Sequence, residues 1–337
     1  MISDKLSDME NIDKIKKIGV LTSGGDAPGM NAAIRAVVRT AIFNKKEVVG
    51  VRRGYSGLIE GDFLPMQSHS VSKIISMGGT ILKSSRCPEF KEYDARKRAY
   101  ENMKKEGIDA LVVIGGDGSF RGAGALSEDF GIPVVGVPGT IDNDIYGTDY
   151  TIGFDTAINT AVSAIDKLRD TADSHNLVFF VEVMGRDAGF IALNTAIATG
   201  AEDTLIPETP TDIGKLCEYL EFERRNNKTS GVVIVAEGDD LGGAADVARM
   251  VKERLPHYEA RVTTLGHIQR GGSPTCNDRV LASILGYEAV NALLKGISGV
   301  MIGQMHNKTV YTPFAEACSR HNEIDLKWYE ISRILSI

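Results

Sequence analysis

Leu111-Val112-Val113-Ile114-Gly115-Gly116-Asp117-Gly118-Ser119 decides the fold: four aliphatic residues run without a break into a glycine-rich turn. A short, uninterrupted apolar run of this kind reads as a strand buried on both faces. The glycines after it let the backbone turn tightly and open a helix. Working outward, residues 18–21, 134–137, 178–183 and 232–235 are apolar runs of the same type, rich in β-branched side chains. From 154 to 170, Ala157, Ile158, Ala161, Val162, Ile165 and Leu168 recur at helical spacing, which predicts a packed amphipathic helix. Strand, turn and helix repeated in this way build βαβ units. The expected fold is therefore α/β: two Rossmann-like three-layer domains with mainly parallel sheets, since 337 residues exceed a common single-domain size.

Composition narrows the function. Hydrophobic residues are 43% and charged residues 25% of the chain, an ordinary globular balance. A formal net charge of −7 argues against a nucleic-acid partner, because that affinity rests on Lys and Arg neutralising phosphates. Cys87, Cys217, Cys276 and Cys318 lie at no redox or metal spacing and read as reduced thiols. Residues 1–17 lack the apolar core of a signal peptide, and no apolar run approaches membrane-spanning length. The expectation is a cytoplasmic protein with no membrane partner.

In open α/β sheets ligands bind beyond the carboxyl ends of the strands, so the turns there are where chemistry is sought. The first, Thr22-Ser23-Gly24-Gly25-Asp26-Ala27-Pro28-Gly29, leads into a helix near Met30. Its small residues expose backbone N–H groups at a helix N-terminus, which suits a phosphate. Taken alone, it also reads as a strand-to-helix turn needing positive φ. In the second turn a carboxylate, Asp117, sits inside the cradle. Bound phosphates would repel it unless a cation lay between, so Asp117 reads as a Mg²⁺ ligand, with a helix cap as the alternative. The third, Pro138-Gly139-Thr140-Ile141-Asp142-Asn143-Asp144, carries two carboxylates two residues apart. One can accept the proton of a substrate hydroxyl while the other orients it; a structural Asx turn would explain only one of them. Met184-Gly185-Arg186, Arg261 and His267-Ile268-Gln269-Arg270-Gly271-Gly272 add groups suited to phosphate oxygens.

This ordered set of turns, with Thr151-Ile152-Gly153-Phe154 and Val181-Glu182-Val183, resembles the bacterial 6-phosphofructokinases from residue 17 to 303. The resemblance implies transfer of the ATP γ-phosphoryl group to the 1-hydroxyl of fructose 6-phosphate in glycolysis, with Mg²⁺, in a homotetramer. It implies that Gly25, Tyr55, Arg86, Cys87, Asp117, Gly118, Ser119, Arg121 and Gly122 surround the nucleotide. Asp117 then binds Mg²⁺ and Asp142 is the base. Thr140, Asp144, Met184, Gly185, Arg186, Glu237, Arg261, His267 and Arg270 match the substrate site, with Arg186 on the transferring phosphoryl group. Arg35, Arg39, Arg169, Glu202 and Lys228 match an effector site, where Ser68, His69, Asn226 and Ser230 replace more typical residues. The implied domains are 1–152 plus 269–318, larger and ATP-binding, and 153–268 plus 319–337, smaller and sugar-phosphate-binding.

Two details refine the expectation. Pyrophosphate-using relatives carry Asp and Lys where this chain has Gly118 and Gly139, so the chain resembles the ATP-using type. Leu177 stands where the family usually has an arginine that reaches a neighbouring subunit's sugar 6-phosphate, which predicts weaker or redirected sugar-phosphate binding. The alternatives are a pyrophosphate-dependent or altered sugar-phosphate kinase, and a non-catalytic regulatory paralogue.

Overall fold

A computed structural model describes residues 14–336; the first part of the segment read as lacking a signal peptide lies outside them. The chain divides into two compact units, neither of them contiguous. Among the described residues the first comprises 14–141, 145–155 and 270–322; the second comprises 142–144, 156–269 and 323–336.

Among its described residues the first unit holds β1 (Lys17–Ser23), α1 (Met30–Phe43), β2 (Glu47–Val51), α2 (Gly54–Glu60), β3 (Phe63–Met66), α3 (Tyr93–Glu106), β4 (Ala110–Gly115), α4 (Asp117–Phe130), β5 (Val134–Thr140) and the short β6 (Ile152–Gly153). The helix α5 (Phe154–His175) leaves this unit after Asp155. Its sheet runs β12-β11-β5-β4-β1-β2-β3 once β11 (Val300–Met305) and β12 (Lys308–Pro313) are added, and β6 pairs with β5. The two edge strands, β3 and β12, run antiparallel to their neighbours, and the interior pairs are parallel. β4 is buried along its whole length, as its apolar run requires. Chain order departs from β1 in one direction to β2 and in the other to β4, so the switch point lies between β1 and β4. There Ser23 is directly in register with Gly115.

The helix α9 (Cys276–Leu294) packs along α1. A Cβ at Gly286 would meet the Ala33 carbonyl at 2.7 Å and the Ala36 methyl at 2.8 Å, so small residues set that close approach. α10 (Phe314–Ser319) covers the same sheet, with Phe314 stacked on Phe120 of α4. Each buried aromatic of this kind contributes about 3–5 kcal/mol against truncation to alanine.

The second unit holds β7 (Val178–Val183), α6 (Phe190–Thr199), β8 (Asp203–Leu205), α7 (Ile213–Arg225), β9 (Gly231–Ala236), α8 (Ala244–Arg254), β10 (Ala260–Thr264) and α11 (Leu326–Leu335). Its parallel sheet runs β10-β7-β9-β8. The central strands β7 and β9 are almost wholly buried, whereas the edge strand β10 is largely exposed. The α/β class expected from the sequence is observed in both units. Among the described residues no helix is long and apolar enough to cross a membrane, and the four cysteines are free thiols.

Candidate active site

In the first unit the two glycine turns lie side by side at the switch point. A Cβ at Gly115 would strike both Ser119 Oγ and the Ser23 carbonyl at 2.5 Å, so glycine there lets the end of β4 close onto the end of β1. Gly24 and Gly29 hold φ of 85° and 107°, and Ser84 Oγ donates to the Gly24 carbonyl at 2.6 Å. Arg270 also reaches this loop: its guanidinium lies 3.0 Å from where a Gly25 Cβ would sit. The second turn opens α4, with Asp117 in its first turn. One Asp117 oxygen accepts from the Gly118 N–H at 2.6 Å, and the other pairs with Arg121 at 2.8 Å. Cβ atoms added at Gly116 or Gly118 would meet nothing within 4 Å, so no protein atom demands glycine at either position.

Other residues assigned to the nucleotide differ in depth. Tyr55 is a core residue: it stacks on Phe90 with ring centroids 3.9 Å apart, and its hydroxyl donates to the Ser119 carbonyl. Burial pushes that phenol far above its ordinary range. A Cβ at Gly122 would strike the Tyr55 ring at 2.9 Å, which gives that glycine a packing reason. Arg86 is exposed, Cys87 is half-buried, and Ser119 is buried beside the turn.

In the second unit Asp142 is buried, and the Arg186 Nε lies 3.5 Å from its Oδ2. Asn143, next in the chain, holds φ of 57°, and Asp144 is half-buried. Thr140 belongs to the first unit, at the end of β5, where its carbonyl accepts from Thr151 Oγ1 at 2.6 Å. Arg186 follows β7 in a strained turn: Gly185 has φ of 143° and Arg186, not a glycine, has φ of 52°. Holding a side-chain-bearing residue there costs about 1–2 kcal/mol, so other groups must fix the turn. Glu237, after β9, does so: its Oε1 accepts from the N–H of Arg186 at 2.8 Å and of Gly185 at 3.3 Å. Met184 is buried below it.

Not every expected residue gathers there. Arg261, on β10, is in register with Phe179, five residues before Met184, so it lies roughly 16 Å back along the sheet. It is exposed and pairs with Glu259 at 3.3 Å. His267 is exposed in the 3₁₀ turn Gly266–Arg270 after β10. Leu177, just before β7, is buried. Of the effector set, Arg35 and Arg39 are one turn apart on α1 in the first unit, and burial together with the charge of Arg39 pushes Arg35 below its ordinary pKa. Arg169, Glu202 and Lys228 form a network in the second. The buried Glu202 carboxylate lies 3.4 Å from Arg169 and 3.5 Å from Lys228. Lys228 also binds Glu223 at 3.0 Å and the Ser336 carbonyl at 2.9 Å. Burial opposes charging Lys228, but Glu223 and Glu202 outweigh it and raise its pKa.

Sequence reasoning missed several supporting groups. Gly238 packs so closely on the Arg186 carbonyl that no side chain fits; its position next to Glu237 was the available signal. Glu208, whose Oε1 accepts from the Gly189 N–H at 2.9 Å, lies in a stretch with no motif to mark it. Cys318 Sγ donates to the Asp117 carbonyl at 3.5 Å across 201 residues of chain, a contact no local pattern reveals.

Residues 17–293 match the family model "Phosphofructokinase". The chain is 56% identical, over 96% of its length and 100% of the relative's, to ATP-dependent 6-phosphofructokinase 1 of Thermus thermophilus. It is 54% identical, over 96% of its length and 99% of the relative's, to ATP-dependent 6-phosphofructokinase 2 of Bacteroides thetaiotaomicron. Among solved structures it resembles Pichia pastoris phosphofructokinase in the T-state, with a TM-score of 0.85 and 38% identity, covering 95% of this chain and 36% of that one. Two glycine turns at a switch point, an arginine held against a buried aspartate, and matches of this extent lead to one conclusion: the chain belongs to the phosphofructokinase family.

Proposed function

We propose that the chain is an ATP-dependent 6-phosphofructokinase, transferring the γ-phosphoryl group of ATP to the 1-hydroxyl of fructose 6-phosphate. The observation that carries this reading is the Arg186 Nε held 3.5 Å from the buried Asp142 Oδ2. Asp142 takes the proton of the attacking hydroxyl, a role worth about 10²–10⁴ in rate. Arg186 both orients that carboxylate and presents charge to the transferring phosphoryl group. Asp144 and Met184 accompany this pair on the acceptor side, and Glu237 acts by fixing the backbone under Arg186. On the donor side, the backbone around Gly25 and Gly116 receives the phosphates, and the family resemblance adds Arg86 as a charged partner.

The donor set fits Mg²⁺. Among the described residues no group of three or more His, Cys, Asp or Glu side chains could cage a metal. Mg²⁺ needs no such cage, because it commonly takes one or two carboxylates and completes its shell with water and substrate phosphates. Asp117 would be that carboxylate. Its i,i+4 pair with the half-exposed Arg121 contributes only about 0.3–0.5 kcal/mol, so Arg121 releases it readily. When bound, the ion neutralises charge on the phosphoryl oxygens being transferred.

The open space at Gly118 supports ATP over pyrophosphate as donor, since an Asp there would project where nucleotide phosphate is expected. The reading extends to a homotetramer in the cytoplasm. A regulatory nucleotide at Arg169 and Lys228 has to compete with Glu202, Glu223 and the Ser336 carbonyl for those cations, which favours weak control. The test is a coupled assay of fructose 6-phosphate with ATP and, separately, with pyrophosphate, both with Mg²⁺. ATP-dependent formation of fructose 1,6-bisphosphate at least about 100-fold faster than the pyrophosphate reaction is expected. Faster turnover with pyrophosphate would overturn the donor assignment, and no turnover with either would overturn the reading.

A further inference from the structure

The turn that carries Arg186 is held at both ends by carboxylates. At its start Glu237 accepts from the backbone N–H groups of Gly185 and Arg186. At its end Glu208, three residues after β8, accepts from the Gly189 N–H at 2.9 Å, one residue before α6 begins. The approach of Glu208 is tight. A Cβ at Gly189 would lie 2.7 Å from Glu208 Oε2 and 2.6 Å from the Ile206 Cβ, so glycine at 189 is what admits the carboxylate. Between the two anchors, the Ala188 N–H donates to the Gly185 carbonyl at 3.0 Å, and Ala188 is buried. The only outward-facing side chains of the turn are Arg186 and Asp187.

Inside the turn only the Ala188 N–H bond to the Gly185 carbonyl spans the left-handed Arg186 backbone, which a residue with a side chain adopts at a cost. With Glu237 alone, the start of the turn is tied by a carboxylate, while at its far end the N-cap of α6, Gly189, offers no side-chain cap of its own. The geometry points to Glu208 as a positioning residue: it acts through the Gly189 N–H to keep the 184–189 turn closed, and so keeps the Arg186 guanidinium against Asp142. The inference deepens the proposed phosphoryl-transfer reading and rests on it for its kinetic readout. Displacement of about 1 Å in such a group lowers turnover by orders of magnitude without touching the donor site.

The experiment compares E208A and E208Q with the wild-type chain. The amide oxygen of Gln still accepts the Gly189 N–H, whereas Ala cannot. E208A is expected to lower kcat about 10-fold or more with the KM for ATP within about 2-fold, and E208Q to restore at least half of the wild-type kcat. A simple helix cap would lower the melting temperature of E208A and leave kcat within about 2-fold, and that result overturns the inference. A second readout is independent of turnover: modification of Arg186 by phenylglyoxal, followed by peptide mass spectrometry. Several-fold faster modification in E208A but not in E208Q supports the positioning role; equal rates overturn it. If the wild-type chain phosphorylates no fructose 6-phosphate, the functional reading falls, and the labelling rates alone decide the role of Glu208.

Discussion

Gly115 and Gly118 stand three residues apart and are glycines for different reasons. At 115 a side chain would strike two atoms of its own fold, while at 118 it would meet open space. Sterically, then, the fold demands glycine at 115 and leaves the space at 118 open to a ligand. G118D therefore separates stability from function. An added acid in the first turn of α4 meets the positive end of the helix, so the fold loses at most about 0.5 kcal/mol. The same carboxylate projects into the phosphate cradle, and kcat/KM for ATP is expected to fall by at least about 100-fold, or roughly 2.7 kcal/mol of transition-state stabilisation. A thermal melt beside steady-state kinetics checks both, and a kcat/KM within about 3-fold of wild type would remove Gly118 from the donor site. At this scale the sequence is readable where chemistry is local: Asp117, Asp142 and Arg186 each announce themselves by a turn at a strand end. Tyr55 and Glu208 do not. An aromatic looks the same in sequence whether it faces a nucleotide or stacks on Phe90, and a carboxylate 19 residues from the amide it binds leaves no spacing to read.

Interior strands and edge strands differ in the same way. The runs at 18–21, 111–114, 134–137, 178–183 and 232–235 are apolar because both faces of β1, β4, β5, β7 and β9 are covered, and they are found where the residues place them. The edge strands β3, β10 and β12 are half solvated and carry no such run, and they, like the interior strands β2 and β11, whose apolar runs are broken by Gly50 and Gly303, are not read from the sequence. The contrast bears on Leu177, which sits at the junction of the buried β7 with the loop from α5. Its N–H donates to the Ala172 carbonyl and its carbonyl accepts from Gly231, so the backbone is fixed and only the side chain is at issue. L177R replaces a buried aliphatic group with a long cation that must carry its head to the surface. We expect it to cost about 1–3 kcal/mol of stability and to lower the KM for fructose 6-phosphate about 10-fold, the worth of one charge-assisted phosphate contact. Differential scanning fluorimetry gives the first and a substrate titration the second; an unchanged KM would show that position 177 has no part in sugar-phosphate binding.

Neither unit is a continuous segment, so the molecule acts only as a full chain, and the question at this scale is whether one chain makes a whole site. Arg261 suggests that it does not. It matches a substrate position, yet it lies on the exposed edge strand β10, roughly 16 Å of strand away from the Arg186 turn of its own chain. A cation on a sheet edge, held by its chain neighbours through the Ala260 carbonyl and an exposed Glu259 pair worth under about 1 kcal/mol, is available to serve a second subunit. If Arg261 completes a neighbour's site across a two-fold interface, then D142N and R261A damage different halves of one composite site. Each variant alone is inactive at low fructose 6-phosphate. When equal amounts are dissociated and reassembled together, half the interfaces are hybrid, and each hybrid interface contains one site with an intact Asp142 and an intact Arg261. About a quarter of wild-type activity should return. Recovery no greater than the sum of the two parents would mean that Arg261 serves only its own chain, and the composite site would be abandoned.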